Sequence, residues 1–278
     1  MTVTTSEKIK TDFMPGTPGI VPKIAYDHAG TGPLVIFMHG IGGNRSNWTE
    51  QVERFGGRFH AVAWDGRGYG GSDDYEGPLD FGDFAADLLR LIDHFGEQKA
   101  HLVGLSMGGR IAQDFYARTP ERVASLVLVS TFTGFHKFSE AERKKFVELR
   151  RKPLVEGKEP KDIAPVVAKT LVGPNATQEQ YERLVASMAA LHKESYIKTV
   201  EATTMYDRDA ELEAIAVPTQ LVFGEFDSLT KPEMGREMAA RVAGSEYVLI
   251  EDAGHLVNLE QPEAFEAAVF DFLSRQAG

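Results

Sequence analysis

Ala100-His101-Leu102-Val103-Gly104-Leu105-Ser106-Met107-Gly108-Gly109-Arg110-Ile111-Ala112 decides how the chain is read. A short apolar run with β-branched Val103 predicts a buried strand. Glycines then crowd around one serine, and the apolar pattern that follows suits a helix. Strand, Gly-x-Ser-x-Gly and helix together predict a tight turn that pushes the serine out to where a substrate reaches it. Gly104 and Gly108 suit such a turn because a side chain there would collide with neighbouring backbone. A serine that merely caps the helix would carry the same pentapeptide, so the rest of the chain has to separate the two.

Working outward, the pattern is strand after strand with helices between. Lys23–His28 alternates and ends at Gly30-Thr31-Gly32-Pro33, which predicts an edge strand. Residues 1–19 before it read as a loosely held arm. Leu34–Met38 is continuously apolar, as in a strand buried on both faces, and runs into His39-Gly40-Ile41-Gly42-Gly43-Asn44. A helix is expected from Ser46 to about Phe55, a strand at His60–Trp64, a helix at Asp80–His94 and a strand at Ala124–Val129. From 132 to about 214 the chain is charged and helix-forming, with breaks at Pro153, Gly157, Pro160, Pro165 and Gly173-Pro174. The strand–helix rhythm resumes at Thr219–Phe223, with a helix at Pro232–Val242, a strand at Tyr247–Ile250 and a last helix from Pro262. This alternation predicts an α/β fold with a mainly parallel, twisted sheet covered on both faces. Residues 1–131 and 215–278 would form its core, and 132–214 a helical cap inserted between two strands.

Composition bounds the function. The 278 residues are 42% hydrophobic and carry a formal charge of −11, which argues against nucleic acid or an anionic membrane as partner. Lys137–Lys169 runs against this balance, with ten Lys/Arg and six Asp/Glu. There is no cysteine, hence no disulfide, thiolate nucleophile or thiolate-bound metal. Met1–Lys10 is polar and lacks the apolar stretch of a secretory signal, and no apolar run reaches the ~20 residues of a membrane span. A cytoplasmic location is the expectation; the oligomeric state is open.

In an open parallel sheet, ligands bind at the carboxyl ends of the strands. Four groups lie just past such ends: the His39–Asn44 loop, Ser106, Asp227 and His255. A serine hydroxyl is a poor nucleophile at neutral pH and needs a base, which in turn needs a carboxylate to fix its tautomer. The chain order Ser106, Asp227, His255 is the one expected when the serine sits on such a turn. Oxyanion donors are expected in the backbone N–H groups of Ile41 and Met107, the second at a helix N-terminus, with both side chains lining the pocket. His39 reads as a loop brace. Trp48, Phe132, Leu229 and Leu256 are expected at the pocket walls.

Two other patterns carry less. Gly66-Arg67-Gly68-Tyr69-Gly70-Gly71 fits G-x-G-x-x-G, but Ser72-Asp73-Asp74 and Pro78 follow instead of a helix, so no helix dipole faces a pyrophosphate. The basic clusters Arg143-Lys144-Lys145 and Arg150-Arg151-Lys152 read either as the solvated face of cap helices or as a reach toward a substrate carboxylate. No histidine pair stands at i, i+4 with a carboxylate partner. Neither metal nor cofactor is expected.

From about residue 20 to 275 the chain resembles the α/β-hydrolase superfamily. The resemblance is carried by His39-Gly40-Ile41-Gly42-Gly43, Asp65-Gly66-Arg67-Gly68-Tyr69-Gly70, Gly104-Leu105-Ser106-Met107-Gly108-Gly109, Gly224-Glu225-Phe226-Asp227 and Gly254-His255. Within it, Gly-Leu-Ser-Met-Gly-Gly and His255-Leu256-Val257-Asn258-Leu259-Glu260-Gln261-Pro262 look most like 3-oxoadipate enol-lactonases and bacterial esterases. The resemblance implies Ser106 as nucleophile, His255 as base, Asp227 as its acid partner, and a small ester or lactone as substrate. Ser130-Thr131-Phe132-Thr133-Gly134-Phe135 departs from the asparagine-started cap entrance usual in enol-lactonases, which leaves the particular lactone open. Hydrolases that cleave C–C bonds of ring-fission products, cofactor-free haloperoxidases or perhydrolases, and a non-catalytic ligand receptor remain alternatives on the same fold. Leu256, where C–C hydrolases usually place an aromatic, counts mildly against the first.

Overall fold

The computed structural model describes residues 8–277. Eight strands form one sheet: β1 (Lys10–Met14), β2 (Ile24–Ala29), β3 (Leu34–Met38), β4 (His60–Trp64), β5 (Ala100–Leu105), β6 (Val123–Val129), β7 (Thr219–Gly224) and β8 (Glu246–Ile250). Their spatial order is β1-β2-β4-β3-β5-β6-β7-β8. β1 and β2 run antiparallel, and every pairing from β4 to β8 is parallel. The central strands explain the hydropathy pattern, because every residue of β3, β5 and β7 is buried. The chain thus has the α/β-hydrolase fold.

Three helices lie among the first six strands, α1 (Thr49–Phe55), α2 (Phe81–His94) and α3 (Met107–Arg118), and α4 (Glu140–Arg150) begins the segment that follows β6. α5 (Lys152–Val155), α6 (Pro160–Lys169), α7 (Gln178–Ala189) and α8 (Lys193–Met205) complete the run between β6 and β7. α9 (Pro232–Arg241), α10 (Val257–Glu260) and α11 (Pro262–Gln276) close the chain. Asp80 starts α2 by accepting the Gly82 N–H at 2.7 Å, as a helix cap should. α2 packs on α3, and α1 packs on α11. Among the described residues no helix is long and apolar enough to cross a membrane.

Three expectations in the N-terminal part of the chain need correction. Part of the arm over residues 1–19 is ordered as β1, while residues 1–7 lie outside the described residues. Lys10 to Phe13 are exposed and only Met14 is buried, so backbone pairing rather than hydrophobic burial defines this strand. β2 is consequently the second strand and not the edge, and Thr11 Oγ1 donates to Asp27 Oδ1 across the pair at 2.6 Å. The helix expected from Ser46 is a 3₁₀ turn over Arg45–Trp48 that leads into α1. Asn44 caps that turn, its Oδ1 accepting the Ser46 N–H at 2.9 Å.

The parallel register brings the chemistry to one rim. Met38 pairs with Gly104, Leu105 with Val129, Val129 with Val222, and Gly224 with Ile250. The loops that follow β3, β5, β7 and β8 therefore emerge side by side. The segment between β6 and β7 packs over them. Ser187 on α7 donates to Gly42 O at 3.3 Å, Arg183 holds the Glu50 carboxylate through both Nη atoms, and Tyr206 OH donates to Arg110 O at 2.9 Å.

Candidate active site

Ser106 stands between β5 and α3 with φ 54° and ψ −107°, a left-handed conformation that a non-glycine residue adopts only under constraint. The constraint is close packing. A side chain at Gly104 would meet the Gly108 carbonyl carbon at 2.3 Å, and one at Gly108 would meet Met38 O at 2.2 Å. The turn is pinned further by Ser106 N–H to Val129 O at 2.8 Å and Thr131 Oγ1 to Ser106 O at 2.7 Å.

His255 follows β8, and its Nδ1 lies 2.7 Å from Asp227 Oδ2, with Asp227 just beyond β7. Since a carboxylate only accepts, Nδ1 carries the proton and Nε2 is left as the basic nitrogen. Asp227 is itself held by the N–H groups of Leu229 at 2.8 Å and Thr230 at 2.9 Å, both on Oδ1, and by the Thr230 hydroxyl at 2.5 Å on Oδ2. Ser106, Asp227 and His255 are each about 95% buried or more.

The loop carrying His255 is tied to the segment above it. His255 N–H donates to Leu171 O at 2.8 Å. The buried carboxylate of Glu260 accepts from Gly173 N at 2.7 Å, Gly254 N at 2.9 Å and Leu256 N at 3.0 Å. No sequence signal singled out Thr230 or Glu260, although Thr230 stands three residues from Asp227, and Glu260 stands four from Leu256 and six from Gly254; of these contacts only the one from Gly173 is long-range.

An inner cavity of about 30 Å³ is lined by Ser106 and His255 together with Ile41, Phe132, Leu229 and Leu256. The side-chain hydrogen bonds of His255 go to Asp227 and Thr230, and none joins it to Ser106 in this conformation. Such bonds commonly close only when substrate is bound. Tyr69 OH donates to Ile41 O at 3.2 Å, which fixes the loop after β3 next to the serine turn. The Ile41 and Met107 amides make no hydrogen bond within the protein among the described residues. His39 is a brace: its Nδ1 donates to Gly40 O at 2.8 Å and its Nε2 accepts the Gly66 N–H at 3.0 Å. Burial holds its pKa below the ordinary histidine value, keeping it neutral.

Two pocket expectations are corrected. Trp48 lies in the core, fully buried against Phe37 and Phe265 at ring separations of 5.2 and 5.9 Å, and does not line the cavity. It closes the 3₁₀ turn under the sheet rim, where its ring fills space between β3 and α11. The Met107 side chain is likewise turned inward beneath Tyr69, 3.9 Å from its hydroxyl, so only its backbone is placed toward the site.

Two walls of the cavity are arginines. Arg110 is surrounded by the rings of Phe81, Phe132, Phe135 and Tyr206, and burial pulls its pKa down to about 10. Arg150 stacks on Phe146 with its guanidinium carbon 4.1 Å from the ring centre.

A strained serine at a strand-to-helix turn, a carboxylate-held imidazole on the same rim and two amides without a partner among the described residues make this rim the candidate site. The chain belongs to the alpha/beta hydrolase fold family, whose model matches residues 33–262. It is 28% identical over 246 residues to 3-oxoadipate enol-lactonase 2 of Acinetobacter baylyi, covering 87% of this chain and 89% of that protein. It is 29% identical over 258 residues to a putative non-heme bromoperoxidase of Mycobacterium tuberculosis, covering 90% of this chain and 97% of that protein. Among solved structures it superposes on a thermophilic esterase from Thermogutta terrifontis with malate bound, at a TM-score of 0.88 and 28% identity, covering 97% of this chain and all of that one.

Proposed function

We propose that this chain hydrolyses small carboxylic esters or lactones through an acyl-enzyme on Ser106. The observation that carries the reading is the 2.7 Å contact of His255 Nδ1 with Asp227, on an imidazole that lines the same cavity as Ser106. Similarity to an enol-lactonase and an esterase supports it. Ser106 Oγ attacks the carbonyl carbon while His255 Nε2 takes the hydroxyl proton. The developing oxyanion is received by the Ile41 and Met107 amides. Collapse breaks the carbon–oxygen bond, and His255 returns the proton to the leaving oxygen, which in a lactone stays tethered to the acyl group. A water then gives a proton to Nε2 and attacks the acyl carbon; as the carbon–Oγ bond breaks, Nε2 returns that proton to Ser106 Oγ and the acid is released.

The segment 132–214 serves in this reading as a cap that sets which acyl group fits. An inner cavity of about 30 Å³ holds a water or two. Substrate entry therefore displaces lining side chains such as Leu184 and Phe146.

The test is turnover of p-nitrophenyl esters and simple lactones, with a fluorophosphonate to locate the reactive serine. Ser106→Ala is expected to lose label and turnover while folding normally. Residual activity above a tenth removes the serine from the mechanism, and ligand binding without label or turnover makes the protein a receptor. Faster peracid formation with hydrogen peroxide than acid formation with water moves the assignment to a perhydrolase.

A further inference from the structure

Arg150, at the end of α4, is a buried cation without a counter-charge among the described residues. It is 3% exposed, its Nε is sealed from solvent without an acceptor, and no carboxylate of the described residues pairs with it. A guanidinium taken out of water without a counter-charge is destabilising, so a fold does not keep one there for stability. Its neighbour Arg151, by contrast, pairs with Glu201 at 2.6 Å.

Its position is as telling as its isolation. Arg150 lines the inner cavity with Ser106 and His255, and it also lines a larger outer cavity of about 360 Å³ that shares Phe146 and Leu229 with the inner one. The outer cavity is basic. Lys145 and Lys231 line it and make no ion pair among the described residues; Lys137 is paired with Asp209 at 3.3 Å. Its one carboxylate among the described lining residues, Glu142, is engaged in capping α4, accepting from Ser139 N at 2.8 Å and Ser139 Oγ at 2.7 Å. In a chain of net charge −11, this mouth draws anions inward against the field of the rest of the molecule.

We propose that Arg150 receives a carboxylate on the substrate's far end, so that the preferred ester or lactone is anionic and enters past Lys145 and Lys231. The proposal rests on the reading of Ser106 as nucleophile only for the position of the scissile bond. The planar fork of the guanidinium matches a carboxylate in two parallel hydrogen bonds, and Phe146 fixes the plane from one side.

The experiment compares the p-nitrophenyl monoester of glutaric acid with p-nitrophenyl valerate, its neutral counterpart of equal chain length. The wild-type enzyme is expected to favour the anionic ester in kcat/KM, and less so as salt rises. Arg150→Met is expected to lower that preference by about tenfold to a hundredfold, the usual range for a lost hydrogen bond to a charged group, while melting no lower than wild type. Preference for the neutral ester, or an unchanged ratio in Arg150→Met, overturns the proposal and leaves the esterase reading standing. Calorimetric binding of glutarate decides the subsite without turnover: binding to wild type that is lost in Arg150→Met supports it even if neither ester is cleaved, and no binding overturns it. Should Arg150→Met fail to fold, competition against valerate hydrolysis decides instead: inhibition by glutarate but not by glutaramide supports the subsite, and equal inhibition by both overturns it. Inorganic phosphate competing as well as glutarate rejects the carboxylate assignment.

Discussion

The Thr230 hydroxyl lies 2.5 Å from Asp227 Oδ2, the same oxygen that His255 Nδ1 meets at 2.7 Å, and Thr230 Oγ1 is 3.2 Å from that nitrogen. The hydroxyl donates to the carboxylate and so fixes which lone pair faces the imidazole. Thr230 is a positioning residue: it touches the carboxylate, not the substrate. Thr230→Val is expected to lower kcat by about tenfold to a hundredfold, the range for losing a hydrogen bond to a charged group. KM should barely move and Thr230→Ser should restore most of the rate. A valine variant with wild-type kcat removes the hydroxyl from the site's workings.

The central strands and the rim are legible in the sequence because each of Ser106, Asp227 and His255 follows its own apolar run, and a buried strand advertises itself by composition. β1 is not, because Lys10-Thr11-Asp12 is held by pairing to β2 with almost nothing buried. Trp48 was misplaced for a related reason: a large aromatic near the site suits a pocket wall or the core equally, and the sequence holds no measure of which way the 3₁₀ turn directs it. Thr230 and Glu260 do not stand out in the sequence because their use of Asp227, Gly254 and Leu256, three to six residues away, depends on the path the two loops take, and only the Gly173 amide arrives by tertiary packing. Arg150 is legible only as one of a basic cluster; its isolation from every carboxylate of the described residues is a property of the fold.

Glu260 tests how far the His255 loop depends on its anchor. Three N–H groups from Gly173, Gly254 and Leu256 converge on one buried carboxylate. Glu260→Gln replaces an accepting oxygen with a donating NH₂ that faces an N–H. Unfolding free energy is expected to drop by about 1–3 kcal/mol, and kcat to fall with it as the loop loosens. Denaturant melts and ester hydrolysis below the transition check both. A variant as stable and active as wild type shows that the anchor is dispensable.

His101 on β5 gives the pH dependence. It is buried, its Nδ1 lies 2.7 Å from Ser125 Oγ, and burial pulls its pKa down from 6.5 to about 4. The unfolded chain therefore binds a proton between pH 6.5 and 4 that the folded chain refuses. Stability from the neutral ring is fully present above pH 6.5 and is lost as the pH falls toward 4. His39 and His60, both shifted down by burial, act with the same sign. The melting temperature is expected to decline between pH 7 and 5, and His101→Gln should flatten that decline without abolishing it. An equal decline in both proteins assigns the effect elsewhere.

Phe132 bears on selectivity. It lines the inner cavity beside Ser106 and packs edge-on against Phe135 and Phe138 at 5.1 and 4.8 Å. Its ring also faces the Arg110 guanidinium at 4.7 Å. Phe132→Ala removes a wall and leaves space, which costs about 3–5 kcal/mol of stability for a buried phenylalanine. The freed volume should admit a longer acyl chain. The ratio of kcat/KM for long over short p-nitrophenyl esters is expected to rise about tenfold, the scale on which an apolar pocket discriminates by a methylene or two. Because both esters meet the same folded fraction, this ratio is insensitive to the lost stability. An acyl-length profile identical to wild type would place the selectivity filter on another wall of the cavity, with Leu184 and Leu229 next to be truncated.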